Sequence, residues 1–229
     1  MTDFFKNRTE SFWPNDCADT AGVEMNVRSI IGQHATPSLY AHKPRPGMVN
    51  KIVVHQCGCP YPSQIQGWAR LNAHIGITTE GMIYWINNPV DFIWHANALS
   101  PLVIGIEVEG NWYGFEGNKK TLWQGGGKAA TMTPEIKTAI AYALFMCHEW
   151  IMAQTPVTKW QRLTNAKPEF KGVFTHRQSS AMREWDCGQA IYKVVDEFNR
   201  KKLSPELLKQ CREYHAGTGS AVPGAWYLE

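Results

Sequence analysis

The stretch that most constrains this chain is Leu102 to Val108, an apolar run holding a single acid, Glu107. A run so short and so apolar reads as a strong strand. Residues 50–55, Asn-Lys-Ile-Val-Val-His, form a second β-branched run, read as a buried strand that ends on His55. A carboxylate inside such a strand needs a partner or a job. Glu107 is therefore either half of a structural ion pair or a general base.

The rest of the chain alternates strand and helix patterns. Ser63 is placed to cap a helix through residue 72, with Ile65, Trp68, Ala69 and Leu71 partly on one face. His74 to Thr78 and Met82 to Ile86 flank the turn signal Glu80-Gly81, which predicts a β-hairpin. Residues 111–130 are rich in Gly, Lys and Trp and read as a long loop, a length often tied to function. Thr133 then caps a helix, with Pro134 in its first position and Glu135 in its first turn. Ile136, Ile140, Leu144, Cys147 and Ile151 recur along it at helical spacing. Residues 171–176 lead to another strand-end histidine, His176. A final amphipathic helix carries Ile191, Val195 and Phe198, and Ser204-Pro205 starts a short charged one. The expectation is an α/β fold: a central mixed β-sheet flanked by helices. Residues 1–48 read as an N-terminal arm, 49–201 as the main domain, and 202–229 as a helical extension and tail.

The chain has 229 residues, enough for a core that needs no staples, and a net charge of +3. That charge is too small to argue for nucleic acid, and no nucleic-acid partner is expected. No run approaches membrane-spanning length, and the first residues lack a basic-then-apolar signal pattern. The chain is thus expected to be cytoplasmic where it is made. The six cysteines do not imply disulfides in a chain this long. Cys147 reads as core, and Cys57 and Cys59 as a turn or as neighbours of a metal. Ten tryptophans are a surplus that serves either the core or a groove for sugars and peptides.

His55 and His176 at strand ends, with Asp186 in the following loop, are candidates for a three-ligand zinc site, with a structural role for the histidines as the alternative. A catalytic zinc keeps its fourth position for water and lowers that water's pKa to about 7. Other motifs fail. His148-Glu149 opens like a metalloprotease helix, but Met152 stands where the second His belongs. Gly125-Gly126-Gly127-Lys128 is followed by Ala129 and lacks phosphate-loop spacing. No serine nucleophile elbow is present.

Over about residues 50–200, the segments come in a telling order. They are Ile52-Val53-Val54-His55; Ala73-His74 with the hairpin to Ile86; Trp94-His95-Ala96; Ile104-Gly105-Ile106-Glu107; Thr175-His176-Arg177; and Arg183, Asp186 and Gly188. Together they resemble the zinc-dependent N-acetylmuramoyl-L-alanine amidases, a superfamily that includes phage lysozyme-type amidases, bacterial recycling amidases and peptidoglycan recognition proteins. Ala73 replaces the tyrosine of the lysozyme-type members, and Glu107 is present, so the resemblance is to the recycling type. It implies Zn²⁺ on His55, His176 and Asp186, with Glu107 as general base and Arg183 assisting. It also implies substrate contacts from His74, His95 and Trp94, with Trp112 as a second groove wall; core packing is the alternative for both tryptophans. The implied substrate is peptidoglycan or a muropeptide, cut between N-acetylmuramic acid and L-alanine by a phage or prophage lysin or a wall-directed toxin. An immunity protein or holin-type delivery machinery would be its partner, and the chain is expected to be a monomer.

Two departures bear on this. Glu184 stands where the family has an oxyanion-stabilising lysine, and arginine at 183 is not its equivalent. Cys187 stands where the family has proline, and Cys is the third ligand in some members, so it competes with Asp186. The alternatives to the amidase are a non-catalytic wall-fragment binder, favoured by Glu184, and a zinc hydrolase of another amide such as a stem-peptide bond.

Overall fold

The computed structural model describes residues 27–30, 43–44, 49–59, 65–89, 91–154, 172–179, 183 and 185–200. Among the described residues, six strands form one mixed sheet. They are β1 (Val27–Ser29), β3 (Lys51–Gln56), β4 (Ile75–Ile77), β5 (Ile83–Trp85), β7 (Val103–Val108) and β8 (Gly172–Thr175), in the order β1-β5-β4-β7-β3-β8. Only β4 and β5 pair antiparallel; every other neighbour runs parallel. β2 (Lys43–Pro44) and β6 (Asp91–Phe92) make a separate antiparallel pair. The class expected from the sequence, a mixed sheet flanked by helices, is the one observed.

Alternation along the strands sorts side chains onto two faces. Ile52 and Val54 of β3, Ile104, Ile106 and Val108 of β7, Ile75 and Ile77 of β4 and Val173 of β8 face the main core. This face is covered by α2 (Pro134–Gln154) and α4 (Gln189–Asn199). The Thr133 hydroxyl accepts the Ile136 N–H at 3.3 Å, which supplies the expected cap. Ile136, Ile140, Leu144, Cys147 and Ile151 are all buried against the sheet, as their spacing requires. Ile191, Val194, Val195 and Phe198 bury the matching stripe of α4. No described helix is long and apolar enough to cross a membrane.

On the opposite face, Val53, Val103 and Phe174 pack with Ala96 and Leu99 in a smaller cluster. Beside it, Ile30, Trp68, Ala69, Ala73, Tyr84 and Ile86 form another. The hairpin forms as expected, with Ile75↔Trp85 and Ile77↔Ile83 in register and Gly81 at φ +81° in its turn. The helix expected through residue 72 is shorter: α1 spans Ile65–Trp68. Its exit is a tight turn in which Arg70 N–H bonds Gly67 and Leu71 N–H bonds Trp68, and the Trp68 ring is committed to the sheet. Ser63 and the Ser204-Pro205 helix lie outside the described residues.

The loop over 111–130 is tied internally by one buried side chain. The Asn111 amide donates to the carbonyls of Trp123 and Gly127 and accepts from Trp123 N–H. Arg177 lies over the Phe115 and Tyr192 rings and donates to the Gly114 carbonyl, clipping this loop to α4.

Gly76 of β4 gives the packing a clear test, because a Cβ there would overlap the Trp68 ring. Overpacking of this kind costs about 1–3 kcal/mol. Gly76→Ala is therefore expected to lower the melting temperature by several degrees in a thermal scan, while Thr133→Ala costs about 1 kcal/mol through the lost cap.

Candidate metal centre

The site stands at the carboxyl ends of parallel strands β3, β7 and β8, on the face away from α2. This is the end of an open α/β sheet where ligands bind. His55 and Glu107 are direct cross-strand partners on β3 and β7, so their side chains emerge together on that face. His176 follows the last residue of β8. Gln178 Oε1 fixes the strand-to-helix switch there by accepting both the N–H and the hydroxyl of Thr175.

Asp186 closes the cluster. Its Oδ2 lies 3.0 Å from His176 Nδ1 and 3.3 Å from His55 Nδ1, and its Oδ1 accepts the Gln56 N–H at 3.0 Å. The Gln56 side chain completes the clamp, with Oε1 accepting from Trp112 N–H and Gly188 N–H. The rings of His55 and His176 are 4.0 Å apart, centroid to centroid. His55, His176 and Asp186 offer donor atoms that all lie within 4.8 Å of one another. Cys187, the competing ligand, points away. It is buried in the main core, and burial, with Asp186 adding to it, raises its thiol well above the ordinary range.

The charges of the site are set by burial and by pairing. Burial works to raise the Asp186 carboxyl, but the field of His55 and hydrogen bonds from both imidazoles outweigh it and hold the group well below the usual carboxylate range. Burial lowers His55 against the pull of Asp186 and lowers His95 strongly. Glu107 moves the other way: burial and then repulsion from Asp186 raise it to about 8, opposed by a hydrogen bond from the Cys57 thiol and by the Arg183 charge. Two neighbouring carboxylates pushed apart in this way are a recurrent mark of acid–base sites.

An open pocket of about 400 Å³ lies over the cluster, lined by His55, Cys57, Trp94, His95, Glu107, His176, Arg183 and Asp186 among others. Arg183 and Trp94 are exposed at its rim. Two residues implied as substrate contacts lie elsewhere. His74 is fully buried; its Nδ1 accepts the Gly105 N–H at 3.0 Å, so Nε2 carries the proton and donates to the Asp91 carbonyl at 3.2 Å. It is a strut between strands. Trp112 takes the core alternative: it is 1% exposed and its indole N–H donates to the Glu109 carbonyl at 2.9 Å. Glu184 lies outside the described residues.

Gln56 and Gly105 were given no role by the sequence reading, and Cys57 was read only as part of a turn or as a neighbour of a metal. Gln56 ties Asp186 to the end of β3, Cys57 holds Glu107, and Gly105 makes room for His95, whose ring a Cβ at 105 would overlap. The signal for Gly105 was available, since glycine inside a strand marks close approach.

His55, His176 and Asp186 form the His₂-carboxylate set that zinc takes in hydrolases. The His55 imidazole, which burial favours in its neutral form, and the ionised Asp186 carboxylate are in the states that bind such an ion.

Among solved structures, the chain is similar to an N-acetylmuramoyl-L-alanine amidase, LysC, from Clostridium intestinale, at 18% identity and TM-score 0.45, covering 76% of this chain and 97% of that one. It is similar to an endolysin from a Thermus scotoductus bacteriophage, at 14% identity and TM-score 0.45, covering 75% and 99%. It is also similar to wild-type Drosophila PGRP-LB, at 14% identity and TM-score 0.48, covering 78% and 97%. No protein-family model and no curated protein matches the chain. The chemistry assigned to the site rests on its own residues.

The raised Glu107 carboxyl makes a signed prediction for the metal-free protein. Its pKa when folded, about 8, exceeds the ordinary value of 4.5, so its protonated form stabilises the fold at low pH. That contribution is lost as pH rises from 4.5 to 8. Relative to wild type, Glu107→Gln should gain stability from pH 5 to pH 8, by roughly 2–4 °C in melting temperature per kcal/mol. Paired thermal melts in chelator read this difference directly.

Proposed function

We propose that this chain is a zinc-dependent N-acetylmuramoyl-L-alanine amidase. The observation that carries the reading is the pairing of a His₂-Asp set with Glu107, a carboxyl held beside it and able to carry a proton near neutral pH. The order of motifs along the sequence adds the substrate, the amide between N-acetylmuramic acid and L-alanine.

Zinc on His55, His176 and Asp186 would supply Lewis-acid activation of water and of the amide carbonyl. The chain's own groups do the rest. Glu107 takes a proton from the attacking water and returns it to the leaving amine. Cys57 steadies that carboxyl through its thiol. Arg183, at the rim, offers positive charge to the developing oxyanion in place of the family lysine. Gln56 keeps Asp186 aimed at both imidazoles. His95 faces the substrate side of the pocket, and Trp94 offers an exposed apolar wall for a sugar or peptide group. We infer that the enzyme acts at the cell wall, as a lysin or a wall-directed toxin.

The test combines zinc content with product analysis on purified sacculi. Wild type should hold about one tightly bound zinc and release intact stem peptides, leaving a free lactyl group on the muramic acid. Glu107→Ala should keep the zinc and lose roughly 10²–10⁴-fold in rate. A cut inside the stem peptide would move the activity to another amide. Zinc binding with wall affinity but no cleavage would make the chain a fragment binder.

A further inference from the structure

The hydrogen bonds around the pocket leave one set of atoms unused. His95 gives its Nδ1–H to the Asn72 carbonyl at 2.6 Å, so its Nε2 is an acceptor. His55 turns Nδ1 to Asp186. What remains is His55 Nε2, His95 Nε2 and Glu107 Oε2, and beside them His176 Nε2, each buried and without a hydrogen-bond partner. His55, His95 and Glu107 offer donor atoms within 4.8 Å of one another, and the two imidazole rings are 3.9 Å apart. Polar atoms gathered out of water are costly to leave without partners; a cation resolves the arrangement.

The surroundings are those of a ligand. An imidazole whose other nitrogen donates to a backbone carbonyl has its tautomer and orientation fixed for metal binding. Ser100 Oγ pins the turn carrying His95 by accepting the N–H groups of His95 and Ala96 at 3.1 and 3.0 Å. Gly105 clears the floor beneath the ring. Two imidazole nitrogens and one carboxylate oxygen suit zinc or cobalt rather than calcium or magnesium.

We propose that His55, His95 and Glu107 form a second divalent transition-metal position, sharing His55 with the first through opposite edges of its ring. With the first ion on Nδ1, the remaining proton of the His55 ring sits on Nε2, and filling both positions releases it to solvent, so the second ion binds more weakly than the first. An ion there also occupies Glu107 and removes it from proton transfer. Excess zinc then suppresses turnover, a consequence that rests on the amidase reading; the metal position itself does not.

The test is titration of the metal-free full chain with Zn²⁺ by calorimetry and with Co²⁺ by visible absorption. Two binding events are expected, and His95→Gln should lose the weaker while keeping the tighter. Glu107→Gln should lose the same event, which guards against a folding defect in the first variant; thermal melts check both. A single event in wild type, or a second event that survives both substitutions, overturns the proposal. An enzyme that never cleaves sacculi yet shows the two events would refute the amidase reading and leave this one standing.

Discussion

The parallel pairing of β3 with β7, in register from Lys51↔Val103 to Gln56↔Val108, is the constraint on which the site depends. It sets His55 beside Glu107 on one face and buries Ile52, Val54, Ile104 and Ile106 against α2 on the other. A slip of one residue would carry Glu107 into the apolar core and expose a row of isoleucines. The hydrophobic pattern that stabilises the fold thus also fixes the spacing between an imidazole and a carboxyl of the candidate metal centre. β8 joins on the far side of β3, with Val54↔Thr175 as its last pair, and delivers His176 as the next residue. Only Asp186 arrives from a loop, and it is the residue with a dedicated clamp, Gln56.

Position alone gives the two carboxyls opposite characters. Asp186 is nearly as buried as Glu107, yet it sits against two imidazoles and stays ionised. Glu107 is raised to about 8 by burial and then by the charge of Asp186, against a hydrogen bond from the Cys57 thiol. A permanently charged carboxylate suits a metal ligand, and one that exchanges a proton near neutrality suits a base. Their difference comes from what each one faces.

Much of this could be read from the sequence because it rested on local pattern. The β-branched runs announced β3 and β7, Thr133-Pro134-Glu135 announced α2, and the hairpin followed from Glu80-Gly81. His55 and His176 were legible as strand-end histidines because residue type and chain position coincide there. His74 and Trp112 were not readable, since their work is decided by distant partners: the Gly105 N–H for one, the Glu109 carbonyl for the other. The same is true of Cys57, whose neighbour Glu107 lies fifty positions along the chain but one strand away. The early end of α1 likewise reflects the tertiary demand of Trp68 on Gly76, which no helical periodicity reveals.

X-ray absorption on protein loaded with one equivalent of zinc probes the proposed His55, His176 and Asp186 ligands at the ion itself. Two imidazole nitrogens and a carboxylate oxygen are expected at about 2.0–2.2 Å, with no sulfur. A sulfur shell near about 2.3 Å would put Cys187 in place of Asp186, and a shell of water oxygens without imidazole would contradict the site altogether.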